Sequence, residues 1–353
     1  MEQGPDSPQA ERGYGQSPSR INVLRHRAFE LSPTVCRSNQ LLPSRSVPFV
    51  KPQPSRAQPM LPATILFSLI CWLVFAAQPA PSFAADTPVH GLWVWKTASV
   101  LEAPGAAETL RKFCQSNGIT EVYVSVSIKD DATVQTRLTD LIDHLHKSGI
   151  RVEALLGSND ADIPGKPRDA FLNHIREIVR FNQQHPTNRY DGIHLDIEPH
   201  QRTENKGADN LAFLPNLVET LRSVRALAEP ARMTVNADIA VKFLKADASA
   251  RRSLLTSVPS VTLMLYEQSS PQDGSTPAKK AEKIRRVAEK YLTMAYAGLA
   301  DPNLARMSIA LRTPDYVELL PSMLQTLDTT FRPNPHYLGW ARHSYNDVLK
   351  PAQ

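Results

Sequence analysis

One stretch of the chain alternates apolar and polar side chains and reads Tyr190-Asp191-Gly192-Ile193-His194-Leu195-Asp196-Ile197-Glu198. Alternate side chains of an extended strand share a face. One face then carries His194, Asp196 and Glu198, while the three aliphatic residues between them face the other way. Two carboxyl groups so close on one face repel each other and shift each other's pKa. The stretch therefore predicts a strand that presents acid–base chemistry at its end.

The length and charge of the chain limit the size of the domain that contains this strand and the partners that the domain can bind. The 353 residues leave room for one α/β domain of about 250 residues. Residues 1–84 hold 8 of the 40 basic and 4 of the 35 acidic residues, which leaves 32 basic and 31 acidic residues in the remainder. A nearly neutral domain has no electrostatic footprint for nucleic acid, so we expect no nucleic-acid partner.

The first 85 residues differ in composition from the rest. Residues 1–60 are rich in Pro, Ser, Arg and Gln, which indicates a disordered leader, or a stretch upstream of a true start at Met60. Residues 61–77 are apolar and are followed by small residues up to Ala84, so residues 61–85 are typical of a signal peptide. The alternative is a membrane anchor through residues 61–77. In both cases we expect the domain, residues 86–353, to be secreted or periplasmic.

From His90 onward, β-rich runs alternate with amphipathic helical patterns. Eight strands are predicted, at Gly91–Trp95, Glu121–Ser127, Arg151–Leu156, Gly192–Glu198, Met233–Ile239, Val261–Glu267, Met307–Arg312 and Leu338–Ala341. Seven helices are predicted between them, near residues 106–117, 133–148, 167–184, 209–228, 247–257, 278–294 and 316–329. An eighth helix is short or absent, at Asp347–Pro351. This order predicts a single-domain (β/α)8 TIM barrel, an α/β fold; an open doubly wound sheet is disfavoured because no glycine-rich phosphate loop follows the first strand.

Chemistry in such barrels lies at the C-terminal ends of the strands, where Glu198 falls. Asn236, Asp238 and Arg312 are polar residues near the ends of other strands, and each is a candidate substrate contact or a loop hydrogen bonder. No pair of histidines has zinc-ligand spacing with a nearby acid, so we predict no metal. We also expect no cofactor.

The strand-4 stretch resembles the signature of family 18 glycoside hydrolases, the chitinase-type enzymes, which reads Asp-Gly-x-Asp-x-Asp-x-Glu. Asp191, Gly192, Asp196 and Glu198 match it, whereas His194 stands where the family usually has an aspartate. The resemblance covers most of residues 88–345.

Two weaker matches lie on later strands. Met264-Leu265-Tyr266-Glu267 is similar to the family's Met-x-Tyr-Asp element, with Glu267 in place of aspartate. Trp340 is placed like the tryptophan that floors the sugar subsite, and Trp95 offers a second flat face for a sugar ring. Only about two dozen residues separate Arg312 from Leu338, so the family's insertion there is missing and an open groove is expected.

The resemblance implies substrate-assisted hydrolysis of a β-linked N-acetylglucosamine polymer, with a polysaccharide or oligosaccharide as the partner of a monomer. Glu198 would protonate the leaving oxygen, Asp196 would orient the acetamido group, and Tyr266 would hydrogen-bond its carbonyl. His194 would hold Asp196 ionised through a charge-assisted hydrogen bond, or mark a changed or lost reaction. The alternatives are a non-catalytic carbohydrate-binding barrel, and a glycosidase that uses Glu198 and Glu267 as an acid/nucleophile pair.

Overall fold

The computed structural model describes residues 87–126, 132–207, 210–266, 276–312 and 319–349. The leader and the signal or anchor segment fall in residues 1–86, and these predictions lie outside the described residues. Glu267 also lies outside them. Among the helices that are described, none has both the length and the hydrophobicity needed to cross a membrane.

Eight parallel strands close into a barrel in chain order, each paired with its sequence neighbours and the eighth with the first. The strands are β1 Val89–Val94, β2 Glu121–Ser125, β3 Arg151–Ser158, β4 Gly192–Ile197, β5 Thr234–Ala240, β6 Ser260–Met264, β7 Arg306–Arg312 and β8 Tyr337–His343. The predicted (β/α)8 barrel is therefore confirmed.

Helices lie between the strands of the described chain. They are α1 Thr97–Val100, α2 Ala106–Ser116, α3 Ala132–His146, α4 Lys166–Gln184, α5 Leu214–Ala228, α6 Ala248–Leu255, α7 Pro277–Tyr296, α8 Leu320–Phe331 and α9 Tyr345–Val348. Up to residue 349, the eighth strand is followed by the single turn α9, a short helix as the sequence predicts, although that turn begins at Tyr345 rather than Asp347.

The alternation in β4 separates two hydrophobic cores. Ile193, Leu195 and Ile197 point outward and pack in the large core between strands and helices. A second, small cluster fills the barrel lumen and consists of Trp93, Tyr123, Leu155, Ala310 and Ala341. The predicted division of β4 into an apolar outer face and a polar inner face is thus confirmed.

Two residues at the start of β4 fix its position. The Asp191 carboxylate accepts hydrogen bonds from the Val152 backbone N–H (2.8 Å) and from His146 Nε2 (2.9 Å). Gly192 is required by packing, because a Cβ there would lie 2.6 Å from Glu153 Oε1. Asp191 and Gly192, which match the family signature, therefore have a structural role: they fix the start of β4 and do not contact the mouth.

Candidate active site at the barrel mouth

The lumen has a charged floor below the mouth, and His194 is its centre. The side chain is 0% exposed, with Nδ1 3.3 Å from Glu153 Oε2 and Nε2 2.9 Å from Asp238 Oδ1. A neutral imidazole has one N–H, so two carboxylates on its two nitrogens indicate an imidazolium. Burial alone would lower the pKa of His194, but the Asp238 charge and the hydrogen bonds to both carboxylates outweigh it and raise the pKa to about 10.

The expectation that His194 holds Asp196 is wrong. His194 lies level with Asn236 in the β4–β5 register, and Asp238, the next inward-facing residue of β5, accepts its Nε2–H. The imidazolium is also stacked on the Tyr123 ring, with centroids 3.6 Å apart. The cation is therefore held within the floor by neighbouring strands, and Asp196 lies one inward-facing position further along β4.

Further charges extend the floor toward the N-terminal end of the barrel. Arg151 Nε lies 3.3 Å from Glu121 Oε1, and an Arg151 terminal nitrogen lies 3.7 Å from Glu153 Oε1. Burial and the Glu153 charge raise the pKa of Glu121 to about 8, although Arg151 and His194 oppose the shift. We use the term floor for Arg151, Glu121, Glu153, His194 and Asp238 below.

Asp196 lies above the floor, on the last inward-facing position of β4. Burial and the charges of Asp238 and Glu198 raise its pKa well above the ordinary value. Its Oδ1 atom is buried and makes no hydrogen bond within the described part of the chain. Asp196 therefore keeps its proton to higher pH than an ordinary aspartic acid does, and its Oδ1 is an unused polar atom.

Glu198 follows the end of β4, and its backbone N–H donates to the Ser158 carbonyl at 2.9 Å. Its side chain is 27% exposed, so the carboxyl group is open to solvent at the rim. Burial and the Asp238 charge raise the pKa of Glu198, against a hydrogen bond from Gln201. The sequence predicted a raised pKa with Asp196 as its cause; the causes are burial first and Asp238 after it.

His200 lies 3.6 Å from Glu198 through Nε2 but is not a cationic partner. Burial and the nearby Lys242 charge lower the pKa of His200 to about 4, so the ring is neutral near pH 7. The turn that carries it is anchored by Arg202, which bonds Asp162 in the loop after β3. Glu198 is therefore held in place by its loop without an adjacent cation.

Tyr266 and His343 form the opposite side of the mouth. Their rings lie 5.4 Å apart, and Tyr266 is within electrostatic range of Asp196, Glu198 and Arg312. Burial and the Asp238 charge raise the pKa of Tyr266, so its hydroxyl stays protonated. His343 Nδ1 is buried without a hydrogen bond among the described residues, while its Nε2 accepts from Trp95 Nε1 at 3.1 Å.

Trp95 follows β1 and extends across the mouth toward β3. Its ring lies over Gly157 of β3, where a Cβ would be in ordinary van der Waals contact with it at 3.5 Å. The indole is partly exposed and joins the partly buried residues around the lumen cluster. Its predicted place beside the acids is consistent with this geometry.

Three of the predicted substrate contacts do not line an open groove at the mouth: Trp340, Asn236 and Asp238. Trp340 points outward, stacks on His90 at 4.1 Å and donates to Asp328 on α8 at 3.2 Å. Asn236 and Asp238 are 2% and 3% exposed, because β5 continues to Ala240 and leaves both inside the lumen. Trp93, a further aromatic side chain of β1, is buried in the lumen cluster and offers no face to a ligand.

Arg312 ends β7 and is exposed at the mouth, so its substrate contact remains a prediction. His343 was missed because the predicted eighth strand stops at Ala341. Continuing the alternation of Gly339 and Ala341 by one step would have identified it. In the described part of the chain, no group of three or more His, Cys, Asp and Glu residues is placed to hold a metal ion.

No family model matches the sequence, and no curated protein matches it either. Solved structures of similar fold include the chitinase of Chromobacterium violaceum ATCC 12472, at 13% identity, with 64% of this chain and 69% of that chain covered and a TM-score of 0.40. The spore cortex-lytic enzyme SleL of Bacillus cereus is 9% identical, with 73% and 70% covered and a TM-score of 0.47. The PgaB (BpsB) glycoside hydrolase domain of Bordetella bronchiseptica is 10% identical, with 74% and 95% covered and a TM-score of 0.46. These likenesses describe the barrel alone, so the function is argued from the side chains.

Proposed function

We propose that the chain is a glycoside hydrolase that cleaves a β-linked N-acetylglucosamine-type polysaccharide by substrate-assisted acid catalysis. The observation that carries this proposal is the pair Asp196 and Glu198, two acids of raised pKa on consecutive inward positions at the end of β4, with Tyr266 within electrostatic range of both. Acid-catalysed cleavage of a glycosidic bond uses paired carboxyl groups whose pKa values are raised toward neutral pH.

Glu198 is the proton donor in this proposal. Its partial exposure lets the glycosidic oxygen of a bound chain reach it, and its raised pKa keeps it protonated at higher pH than a free glutamic acid. As the bond between the anomeric carbon and the glycosidic oxygen breaks, the oxygen takes the Glu198 proton. Water that later attacks the anomeric carbon returns a proton to Glu198.

Asp196 and Tyr266 act on the acetamido group of the sugar. The Tyr266 hydroxyl donates to the acetamido carbonyl, and Asp196 bonds the acetamido N–H through its carboxyl group. These contacts direct the carbonyl oxygen at the anomeric carbon, where it forms the bond that replaces the departing one. Trp95 supplies an apolar face for the ring, and Arg312 contacts the chain at the rim.

The test is a hydrolysis screen of the full chain on a panel of glycans, read by mass spectrometry. The panel pairs each N-acetylated oligosaccharide with its de-N-acetylated form, and we expect cleavage only of the first. Glu198→Gln abolishes cleavage, whereas Glu204→Gln, which changes an exposed carboxylate of the same loop, does not. A thiazoline analogue of the cyclised intermediate inhibits the wild-type protein.

Other results identify the alternatives. Cleavage of sugars without an acetamido group, insensitive to the thiazoline, indicates the acid/nucleophile pair of Glu198 and Glu267. Binding of glycans without cleavage by the wild-type protein indicates a carbohydrate-binding barrel. Either result contradicts the proposed mechanism.

The proposal includes a location and an oligomeric state. The apolar residues 61–77 and the small residues after them support export to the periplasm or medium, or a membrane tether. Cell fractionation and N-terminal sequencing of the mature protein test this point. Light scattering tests the expectation of a monomer.

A further inference from the structure

We propose that Asp238 is a positioning residue for the mouth: its carboxyl group, held by His194 and Trp93 beside Asp196, makes Asp196 a hydrogen-bond donor as well as an acceptor. The role in catalysis rests on the proposed function, whereas the protonation is a property of the folded barrel. Neither the strand-4 motif nor the open mouth points to this residue, because Asp238 lies on β5 and is buried.

The geometry fixes both oxygens of Asp238. Oδ1 accepts from His194 Nε2 at 2.9 Å, and Oδ2 accepts from Trp93 Nε1 at 3.3 Å. The Trp93 ring is itself packed edge-on against His194, with centroids 5.4 Å apart. A carboxylate that receives a charge-assisted bond on one side and an indole N–H on the other is held in a fixed orientation.

His194 is in turn fixed from below, which keeps Asp238 from moving. Glu153 accepts from the other ring nitrogen, and Tyr123 covers the ring face. The row from Glu153 through His194 to Asp238 therefore crosses three adjacent strands and ends beneath the mouth. Asp196 is the inward-facing residue after His194 on β4, and Asp238 is the one after Asn236 on β5, so the two acids lie side by side on adjacent strands.

The charges that act on Asp196 single out Asp238. After burial, Asp238 raises the pKa of Asp196 more than Glu198 does, while the His194 cation opposes both. Asp238 also raises the pKa values of Glu198 and Tyr266. Arg312 on β7 and His343 on β8 complete the titratable and charged groups around the mouth. Glu153, on the far side of His194, is not among the charges that shift Asp196.

The consequence is a change in what Asp196 offers a ligand. A protonated carboxyl group donates one hydrogen bond and accepts another, whereas a carboxylate only accepts. With the Asp238 carboxyl group bonded to His194 and Trp93, Asp196 presents both a donor and an acceptor beside Glu198. The prediction from sequence was the reverse, an ionised Asp196 paired with His194.

The test compares two substitutions that make the same chemical change on either side of His194. The full chain, labelled with ¹³C at aspartate and glutamate carboxyl groups, is titrated by NMR as wild type, Asp238→Asn and Glu153→Gln, with Asp196→Asn assigning the resonance. We expect the Asp196 midpoint to fall in Asp238→Asn and to stay in place in Glu153→Gln. An unchanged midpoint in folded Asp238→Asn, or an equal fall in both variants, overturns the proposal.

The wild-type titration tests the same point if Asp238→Asn does not fold. The Asp196 midpoint must then lie above that of an ordinary aspartic acid, and a midpoint at or below the ordinary one overturns the proposal. Kinetics on a cleaved glycan give the second readout: kcat of Asp238→Asn falls about 10- to 100-fold and the alkaline limb of the pH profile moves to lower pH. If the wild-type protein cleaves no glycan while the NMR result holds, the proposed function fails and the inference about Asp238 stands.

Discussion

The floor and the mouth of the barrel hold similar side chains with different partners. In the floor, Glu153 and Asp238 flank the His194 cation, and Arg151 lies beside Glu121, whose pKa is raised to about 8. In the mouth, Asp196 and Glu198 have raised pKa values, and neither is hydrogen bonded to a cation among the described residues. Buried acids that have a cationic partner serve the fold, whereas acids of raised pKa without one, beside open space, are available for chemistry.

The floor and the mouth are nevertheless coupled electrostatically, because Asp238 belongs to both. It is the upper member of the paired row and the charge that acts on the mouth acids. The comparison therefore predicts that substitutions in the floor change stability, and that those in the mouth change activity. Asp238 is the position where both respond.

The largest expected effect is in the floor, at His194. His194→Gln removes a buried cation and leaves two carboxylates facing a neutral amide, so the free energy of unfolding falls by about 3–5 kcal/mol. Chemical denaturation of wild type and variant at pH 7 measures the loss. Thr262→Val, which removes a buried lumen hydroxyl bonded to Asn236 at 3.4 Å, is the control and costs about 1 kcal/mol. A loss at His194 no larger than the control contradicts the description of the floor.

The next effect is in the mouth, at Asp196. Asp196→Ala removes both the donor and the acceptor and lowers kcat/KM on a cleaved glycan about 100-fold. Asp196→Asn retains a donor and an acceptor of similar shape and loses less. Ser308→Ala is the control, because Ser308 Oγ is also a buried lumen atom without a partner among the described residues but lies on β7 away from the acids. Equal losses in the alanine and asparagine variants would show that Asp196 acts as a carboxylate.

The sequence predicted the barrel and the acid pair because each depends on a short-range pattern. Alternation within β4 places Asp196 and Glu198 on the polar face whatever the other strands do. The alternating order of strands and helices gives the closed sheet. The polar rim position of Glu198 follows from both.

The sequence could not predict the partners of these residues, because partners depend on register across strands. His194 meets Asp238 rather than Asp196 only because of the β4–β5 stagger. Trp340 faces outward because β8 runs from Tyr337 to His343, so Ala341 and His343 take the inward positions. Strand length and stagger are set by tertiary packing, which no local pattern reports.

A smaller effect separates the inner and outer tryptophans. Trp95→Ala removes the flat face beside the acids and raises KM for a cleaved glycan about 10-fold, with little change in kcat. Trp340→Phe is the control on the outer face of the barrel. It removes the hydrogen bond to Asp328 and leaves KM unchanged. Steady-state kinetics on both variants measure the difference. A rise in KM for Trp340→Phe would mean that glycan binds outside the mouth.

The smallest expected effect is a pH dependence in the floor, at Glu121. Its pKa is raised by burial and by Glu153 from an ordinary 4.5 to about 8, so the folded barrel binds its proton more tightly than the unfolded chain does. Stability from this proton is fully present below about pH 4.5 and is lost as the pH rises to 8. Glu121→Gln imitates the protonated form, so both proteins unfold alike at pH 5 and the wild type becomes the less stable one toward pH 8. Chemical denaturation at both pH values measures the difference in the free energy of unfolding between the two proteins. The mouth acids contribute equally to both proteins and cancel from this difference. If the free energies of unfolding of the two proteins change with pH in parallel, the proton belongs to another residue of the floor.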